Sequence, residues 1–176
     1  MRVIQAIVAC AALAGAAASG AAWAQSKAEA QRPSTAAQID FEGFHALTGE
    51  VMAYRQDRLV SLGQFQRMAL TGEALILDAR SADAYARGHI EGAVNLPFPD
   101  FTAQSLAATI GEPDRPILIY CNNNFENDAP PVVMKRVELA LNIQTFINLY
   151  GYGYRNVYEL GEVVNFDDPA VRWVRG

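Results

Sequence analysis

Cysteine and histidine, the residues that build cross-links and many metal sites, are scarce in this chain of 176 residues. It has two of each, and its 14 Lys and Arg against 19 Asp and Glu give a formal net charge of −5. Two cysteines exclude a disulfide-rich scaffold and a zinc site with four thiolate ligands. A mildly acidic balance also gives no reason to expect the clustered Lys and Arg that bind nucleic acids and anionic membranes, so we predict no nucleic-acid partner.

Charge is nearly absent from residues 1–24, where Arg2 precedes an Ala-rich apolar stretch that ends in Ala22-Trp23-Ala24. A short positive start, an apolar centre and an Ala-x-Ala end are typical of a secretory signal peptide. We therefore predict cleavage after Ala24, an exported, periplasmic protein, and membrane contact only through the uncleaved leader. Two alternatives stay open: an uncleaved anchor, although Ala and Gly predominate over Leu, Ile and Phe, and a lipoprotein site at Cys10, which would leave an unusually short leader.

After the leader, the chain has the length of one domain. Residues 25–57 are predicted to be a partly flexible lead-in, because 25–40 lack an apolar period and glycines divide 41–57 into short apolar pieces typical of turns. Residues 58–165 alternate strand and helix signals, which predicts an α/β fold with a central, mostly parallel sheet and helices on both faces. Residues 166–176 are interpreted as a C-terminal tail.

Two near-continuous apolar runs, at 74–78 and 116–121, are typical of strands buried on both faces of a sheet. Shorter strands are predicted at 59–60, 93–97 and 156–160. Helices are predicted where a capping residue precedes an apolar period or, for 101–111, where a glycine ends one. They run from Ser61 to Leu70, from Ser81 to Arg87, over 101–111, and after Asn142, which we expect to be the N-cap.

Five segments follow one another in a characteristic order: LILDAR at 75–80, Asp83-Ala84-Tyr85, GHIEGAVNLPF at 88–98, ILIYC at 117–121, and NVYEL at 156–160 followed by Gly161. With this order and spacing the chain resembles the rhodanese-like domains over about residues 58–165, and the GHIxGAxNxP element is the most specific match. The resemblance implies an α/β fold in which a cysteine at the end of a central strand heads an active-site loop. It also implies that this cysteine takes sulfane sulfur from a small anion such as thiosulfate, carries it as a persulfide, and passes it to a thiol acceptor.

Cys121 occupies that position and is the predicted catalytic residue. It follows an apolar strand, so we expect its thiol at the carboxyl edge of the sheet, where open α/β sheets bind ligands. Backbone N–H groups and a helix N-terminus there would lower the pKa of the thiol and stabilise a persulfide anion. The alternative is a cysteine that only packs in the core. Asp78 and Arg80 are expected at the same rim, where they either orient the loop or form a local ion pair.

The residues after Cys121 depart from the family pattern, which is a short loop that often contains Gly and Arg. Those predicted to form the active-site loop and to bind substrate are Asn122, Asn123, Asn124, Phe125 and Glu126. Asn tolerates positive φ, so the Asn run is able to direct N–H groups at the sulfur, although it also fits a solvated turn. Carboxylates such as Glu126 would act against the reaction, because they raise the pKa of a thiol and repel thiosulfate.

The loop that begins after Cys121 is enlarged by an insert at about 122–142. This length indicates a divergent, single-domain subgroup of the family. Long loops inside compact domains are usually functional or disordered. As an ordered segment, the insert would close over the sulfur as a lid and bring Lys135 and Arg136 into the site as substrate-binding cations.

Other functions remain compatible with parts of this sequence. The main alternative is a non-catalytic module of the same fold that uses the enlarged loop to recognise a peptide or a small anion, and either function allows a protein partner. A cysteine phosphatase would need an arginine at Asn127, and a thiol–disulfide oxidoreductase would need a second cysteine at Asn124. The sequence has no glycine-rich phosphate loop and no metal-ligand cluster, so we predict no cofactor and no metal.

Overall fold

The computed structural model describes residues 37–176. The signal peptide predicted for 1–24, its cleavage site after Ala24 and the part of the lead-in up to residue 36 lie outside the described residues. Within 37–176, no helix combines the length and the apolar character that crossing a membrane requires.

In the described residues, seven strands form two sheets. Five of them make a parallel central sheet in the order β1–β6–β5–β2–β4, and β3 pairs antiparallel with β7 outside it. The bounds are Leu59–Val60 (β1), Leu75–Asp78 (β2), Gly88–Ile90 (β3), Val94–Asn95 (β4), Ile117–Tyr120 (β5), Val157–Leu160 (β6) and Trp173–Arg175 (β7). Every residue of β2 and β5 is buried, as their apolar runs predict. The predicted parallel sheet is confirmed.

Helices pack against both faces of this sheet. Their bounds are Phe41–Gln56 (α1), Leu62–Leu70 (α2), Ala82–Arg87 (α3), Ala103–Ile110 (α4) and Leu141–Gly151 (α5). Successive side chains of a strand point to opposite faces. Leu77 and Ile119 therefore share one core with residues of α1, α4 and α5. Ile76 and Leu118 share the other with Phe65 of α2.

Side-chain caps begin three of the predicted helices, at Ser61 for α2, Ser81 for α3 and Thr102 for α4. Ser61 Oγ accepts the backbone N–H of Gln64, whose Oε1 accepts the backbone N–H of Ser61, and this reciprocal pair starts α2. Ser81 Oγ accepts the backbone N–H of Ala84 at the start of α3. The expectation that Asn142 is an N-cap is wrong, because α5 begins one residue earlier and the amide of Asn142 is buried.

Helix α1 corrects the prediction of turns over 41–57. Its 16 residues include Gly43 and Gly49, and Asp40 Oδ1 accepts the backbone N–H of Gly43 at 2.7 Å to start it. Each glycine in a helix interior costs about 1 kcal/mol relative to Ala. Most helical stability in proteins comes from tertiary packing, and here Val51 is buried in the core. The folded unit therefore begins at Asp40, inside the segment predicted as a lead-in.

The last eleven residues also belong to the folded unit, although the sequence pattern indicated a tail. β7 pairs with β3, so that Trp173 lies opposite Ile90 in the register. The Trp173 ring packs against the rings of Phe125 and Phe166, with centroid distances of 5.0 and 5.4 Å. These contacts bury aromatic surface. The sequence of this short, charged segment does not predict that burial.

The enlarged loop is braced internally by its own polar side chains. Asn122 Nδ2 donates to the carbonyl of Val133 at 2.8 Å, and Asn123 exchanges two hydrogen bonds with the backbone of Lys135. Val132, in the middle of the loop, is fully buried and packs in the core that contains Ile76 and Leu118. The Asn run therefore ties the start of the insert to its middle.

Candidate active site

Cys121 lies where β5 ends. Its backbone is extended, with φ −145° and ψ −175°, and it opens a single 3-10 turn formed by Asn122–Asn124. The residue is only 2% exposed. Because all five strands of the central sheet run in parallel, the carboxyl ends of β5 and its neighbours meet at this edge.

The backbone N–H groups of Asn142, Asn123 and Leu141 lie near enough to the sulfur of Cys121 to favour its thiolate and lower the pKa of the thiol. Leu141 and Asn142 are the first two residues of α5. The N-terminus of an 11-residue helix is therefore directed at the sulfur, even though the insert separates the two in sequence. The expected convergence of backbone donors is present, with two donors from the helix and one from the loop.

Burial raises the pKa of the Cys121 thiol above its ordinary value. The N–H groups of Asn142, Asn123 and Leu141 act in the opposite direction, and the negative charge of Glu159 adds to the increase. The net direction is opposite to the lowered pKa that the sequence led us to expect. Desolvation is the reason, because it disfavours a thiolate more than these three donors favour it.

Asn124 holds the turn at Cys121 together. Its Oδ1 accepts the backbone N–H of Cys121 at 2.9 Å and Nδ2 of Asn142 at 3.1 Å. Its Nδ2 donates to the carbonyls of Leu160 and Glu162 at 2.7 and 3.1 Å. The side-chain amide of Asn124 thus connects the turn, α5 and the end of β6. The position that a thiol–disulfide oxidoreductase would give to a second cysteine is used here as a structural hydrogen-bonding centre.

An ion pair that sequence reasoning missed lies beside this network. Arg55 of α1 forms two hydrogen bonds with Glu159 of β6, Nε to Oε2 at 2.5 Å and Nη2 to Oε1 at 2.7 Å. Asn142 Nδ2 donates to the same carboxylate at 3.2 Å. The signal in the sequence was a glutamate inside the apolar strand VYEL, since a charge in a buried strand needs a partner.

A pocket of about 470 Å³ opens next to Cys121. Its walls come from α1, the Asn turn, the end of the insert, α5, and β6 with the residues that follow it. Most of the lining side chains are apolar, and the Arg55–Glu159 pair lies among them. The segment predicted as a lead-in therefore supplies one wall of the candidate site.

The residues predicted to form the active-site loop lie in three places: the pocket, the core and the surface. Asn123 and Asn124 line the pocket, whereas Phe125 is fully buried in the opposite core. Glu126 is exposed and accepts a hydrogen bond from Asn165. The carboxylate that raises the pKa of the thiol is Glu159 rather than Glu126.

The two cations of the insert do not line the Cys121 pocket. Lys135 faces a separate hollow of about 260 Å³ that Asn122 also lines. Arg136 is exposed and pairs with Glu138 at 3.5 Å. The expectation that the insert brings positive charge to the sulfur is therefore wrong, because the cation that lines this pocket is Arg55 from α1.

Asp78 and Arg80 form a buried ion pair on the other side of the sheet. Arg80 Nη2 lies 2.5 Å from Asp78 Oδ2, and the Tyr120 hydroxyl donates to the same oxygen at 2.5 Å. Arg80 Nη2 also donates to the carbonyl of Gly88 at 2.8 Å, and its Nη1 approaches that of Pro131 at 3.5 Å. Of the two roles left open, the local ion pair is the one observed, with one further contact to the insert.

The central strand β5 of the parallel sheet ends at Cys121, and the N-terminus of α5 lies at its sulfur. These two features define an α/β domain with one cysteine site. A family model for the rhodanese-like domain matches residues 61–161, more than half of the chain. The chain belongs to the rhodanese-like domain family.

Similar proteins are distant in sequence. The chain is 34% identical over 74 residues to the HTH-type transcriptional regulator Rv0324 of Mycobacterium tuberculosis, covering 42% of this chain and 31% of that protein. It is 22% identical over 97 residues to YibN of Escherichia coli strain K12, covering 55% of this chain and 64% of YibN. The chain thus spans less than two thirds of either relative.

Two solved structures are also similar to this chain. A rhodanese with anions from E. coli shows 20% identity and a TM-score of 0.40, and the match covers 58% of this chain and 99% of that one. The human single-domain sulfurtransferase TSTD1 shows 19% identity and a TM-score of 0.44, over 60% of this chain and 90% of that one.

Proposed function

We propose that this chain is an exported sulfurtransferase of rhodanese type that carries sulfane sulfur as a persulfide on Cys121. It would represent a single-domain subgroup with an enlarged active-site loop. The observation that carries the proposal is the position of Cys121 directly after β5, where the start of α5 at Leu141 and the N–H of Asn123 favour a thiolate. Backbone donors at a helix N-terminus stabilise an anion without themselves being consumed or protonated.

The proposed reaction has two transfers. The Cys121 thiolate attacks the sulfane sulfur of a donor such as thiosulfate, the donor S–S bond breaks, and sulfite leaves with the electron pair. A thiolate acceptor then attacks the outer sulfur of the persulfide, which releases Cys121 as a thiolate. The three N–H groups stabilise negative charge on sulfur in the attacking thiolate and again when Cys121 leaves. A small thiol or a thiol on a partner protein is able to serve as the acceptor.

Mass spectrometry of the intact protein tests the proposal. After exposure to thiosulfate and removal of the excess, the protein should gain the mass of one sulfur atom, and dithiothreitol should remove it. Cys121→Ser should gain nothing under the same conditions. A folded wild-type protein that stays unmodified across a wide range of thiosulfate concentration and pH would contradict transfer from thiosulfate.

One observation favours the alternative of a non-catalytic binding module. Burial leaves Cys121 almost inaccessible and raises the pKa of its thiol, so little thiolate is present at neutral pH. A module of this kind would bind a peptide or small anion at the enlarged loop. Binding that survives Cys121→Ser unchanged, together with absent sulfur loading, would support it.

Export is tested separately from chemistry. The leader supports cleavage after Ala24, so the mature protein from a periplasmic fraction should begin at Gln25. An Ala24→Asp variant should accumulate as the longer precursor, because signal peptidases require a small residue at that position. A wild-type protein that is found in the cytoplasm with its first residues intact would contradict export.

A further inference from the structure

The pocket beside Cys121 has an apolar surface both inside and at its mouth. Three lining side chains are large, apolar and mostly exposed, with fractions of 63% or more, and three others are nearly completely buried. The exposed set is Met52, Val137 and Val163, and the buried set is Val51, Phe146 and Ile147. These residues come from α1, the end of the insert, α5 and the segment after β6. Apolar surface therefore leads from solvent into the pocket that contains Cys121.

The charges that line the pocket are already engaged. Arg55 is its one cation among the described residues, and both of its hydrogen bonds go to Glu159. A second carboxylate, that of Glu162, accepts the backbone N–H of Leu62 at 2.7 Å. The lining thus carries one positive and two negative side chains. A dianion such as thiosulfate would enter without a free cation to pair with, which is unfavourable in a partly desolvated site.

We propose that the sulfur donor of this site is a compound with an apolar organic body and at most one negative charge, of which an organic thiosulfonate, R–SO₂–S⁻, is the accessible example. This inference rests on the sulfurtransferase function proposed above. The Cys121 thiolate attacks the terminal sulfur, the S–S bond of the donor breaks, and the sulfinate R–SO₂⁻ leaves with the electron pair. The R group lies against the apolar wall, while the backbone N–H groups at Cys121 remain available for sulfur.

Three donors separate the effect of charge from that of apolar contact: thiosulfate, methanethiosulfonate and benzenethiosulfonate. Thiosulfate carries two negative charges, whereas the two thiosulfonates carry one each and differ only in the organic group. The rate of sulfur loading onto Cys121 is measured by intact mass, and each rate is divided by that of N-acetylcysteine with the same donor. This division removes differences in the intrinsic reactivity of the donors. After it, benzenethiosulfonate should exceed methanethiosulfonate by about tenfold, because a phenyl ring buries much more apolar area than a methyl group. Thiosulfate should be the slowest of the three.

A matched pair of variants assigns the preference to this pocket. Met52 and Leu70 are 67% and 66% exposed, both lie in helices, and only Met52 lines the pocket. Met52→Gln should reduce the advantage of the phenyl donor several-fold, whereas Leu70→Gln should leave it unchanged. Val137→Thr, at a position that is 70% exposed, provides a second pocket variant with the same expected direction.

The outcomes distinguish this inference from the function on which it rests. Equal normalised rates for the two thiosulfonates, or a preference for thiosulfate, would overturn the apolar donor while leaving Cys121 as a sulfur carrier. A phenyl preference that persists in both pocket variants would also overturn it, because the preference would then arise elsewhere. A protein that none of the three donors loads would overturn the sulfurtransferase function itself.

Discussion

Arg55 and Glu159 join α1 to β6 of the central sheet beside Cys121. They lie 104 positions apart in sequence and form a two-point ion pair in which Arg55 is 31% exposed and Glu159 is 7% exposed. Asn142 donates to the same carboxylate, so the pair is continuous with the network that holds the sulfur. Its position gives it two effects, since it attaches α1 to the sheet and sets the charge of the pocket.

Glu159→Gln should increase sulfur loading from thiosulfate by about threefold to tenfold, the range expected when a nearby like charge is removed. The substitution removes a charge that raises the pKa of the Cys121 thiol and frees Arg55 to pair with the anionic donor. The measurement is the loading rate by intact mass at fixed pH. Glu50→Gln is the matched control, because Glu50 is an exposed residue of the same helix as Arg55 and does not line the pocket.

A loading rate that is unchanged or lower in Glu159→Gln would contradict this role for the ion pair. Circular dichroism and urea unfolding must accompany the rate, because removing one partner of a partly buried pair also lowers stability.

The reactivity of Cys121 should rise with pH beyond the range of an ordinary cysteine. Thiolate is the reacting form, and burial raises the pKa of this thiol, so less thiolate is present at neutral pH than for a free cysteine with a pKa of about 8.5. Alkylation by iodoacetamide, followed by mass spectrometry as a function of pH, gives the apparent midpoint. The same protein in urea should return to the ordinary midpoint, and a native midpoint below the unfolded one would contradict the prediction.

Asn124→Ala should lower the free energy of unfolding by about 3 kcal/mol, because it leaves the buried N–H of Cys121 and the carbonyl of Leu160 without this partner. Asn123→Ala, one position earlier, should cost only about 1 kcal/mol, because the groups that it releases on Lys135 are exposed to water. Urea denaturation followed by Trp173 fluorescence measures both. Equal costs for the two variants would show that Asn124 does not hold the turn.

Arg80→Met should lower the free energy of unfolding by about 4 kcal/mol, since it leaves the carboxylate of Asp78 buried without its cation. Adding Asp78→Asn should recover about half of this loss, because the amide needs no counter-charge and still accepts from Tyr120. Arg172→Met removes an exposed pair with Glu91 and should cost less than about 1 kcal/mol. Urea unfolding compares the three, and a double variant as unstable as Arg80→Met would argue against an uncompensated charge as the cause.

The secondary structure of the sheet was predictable because its signals are local. Continuous apolar runs marked β2 and β5, and serine caps marked α2 and α3. Helix α1 was not predictable in this way, because glycines interrupt its pattern and its stability depends on contacts with the core. β7 was not predicted for a similar reason, because its three residues form a strand only by pairing with β3.

The sequence by itself determined the family, the parallel sheet and the position of Cys121 at the end of a central strand, because periodicity, caps and the GHIxGAxNxP element are written in neighbouring residues. Only the tertiary structure decided what surrounds the sulfur. The donors from α5, the ion pair of Arg55 with Glu159 and the apolar wall of the pocket come from segments far apart in sequence. The direction of the thiol pKa depends on how completely these segments exclude water, and packing in three dimensions determines that exclusion.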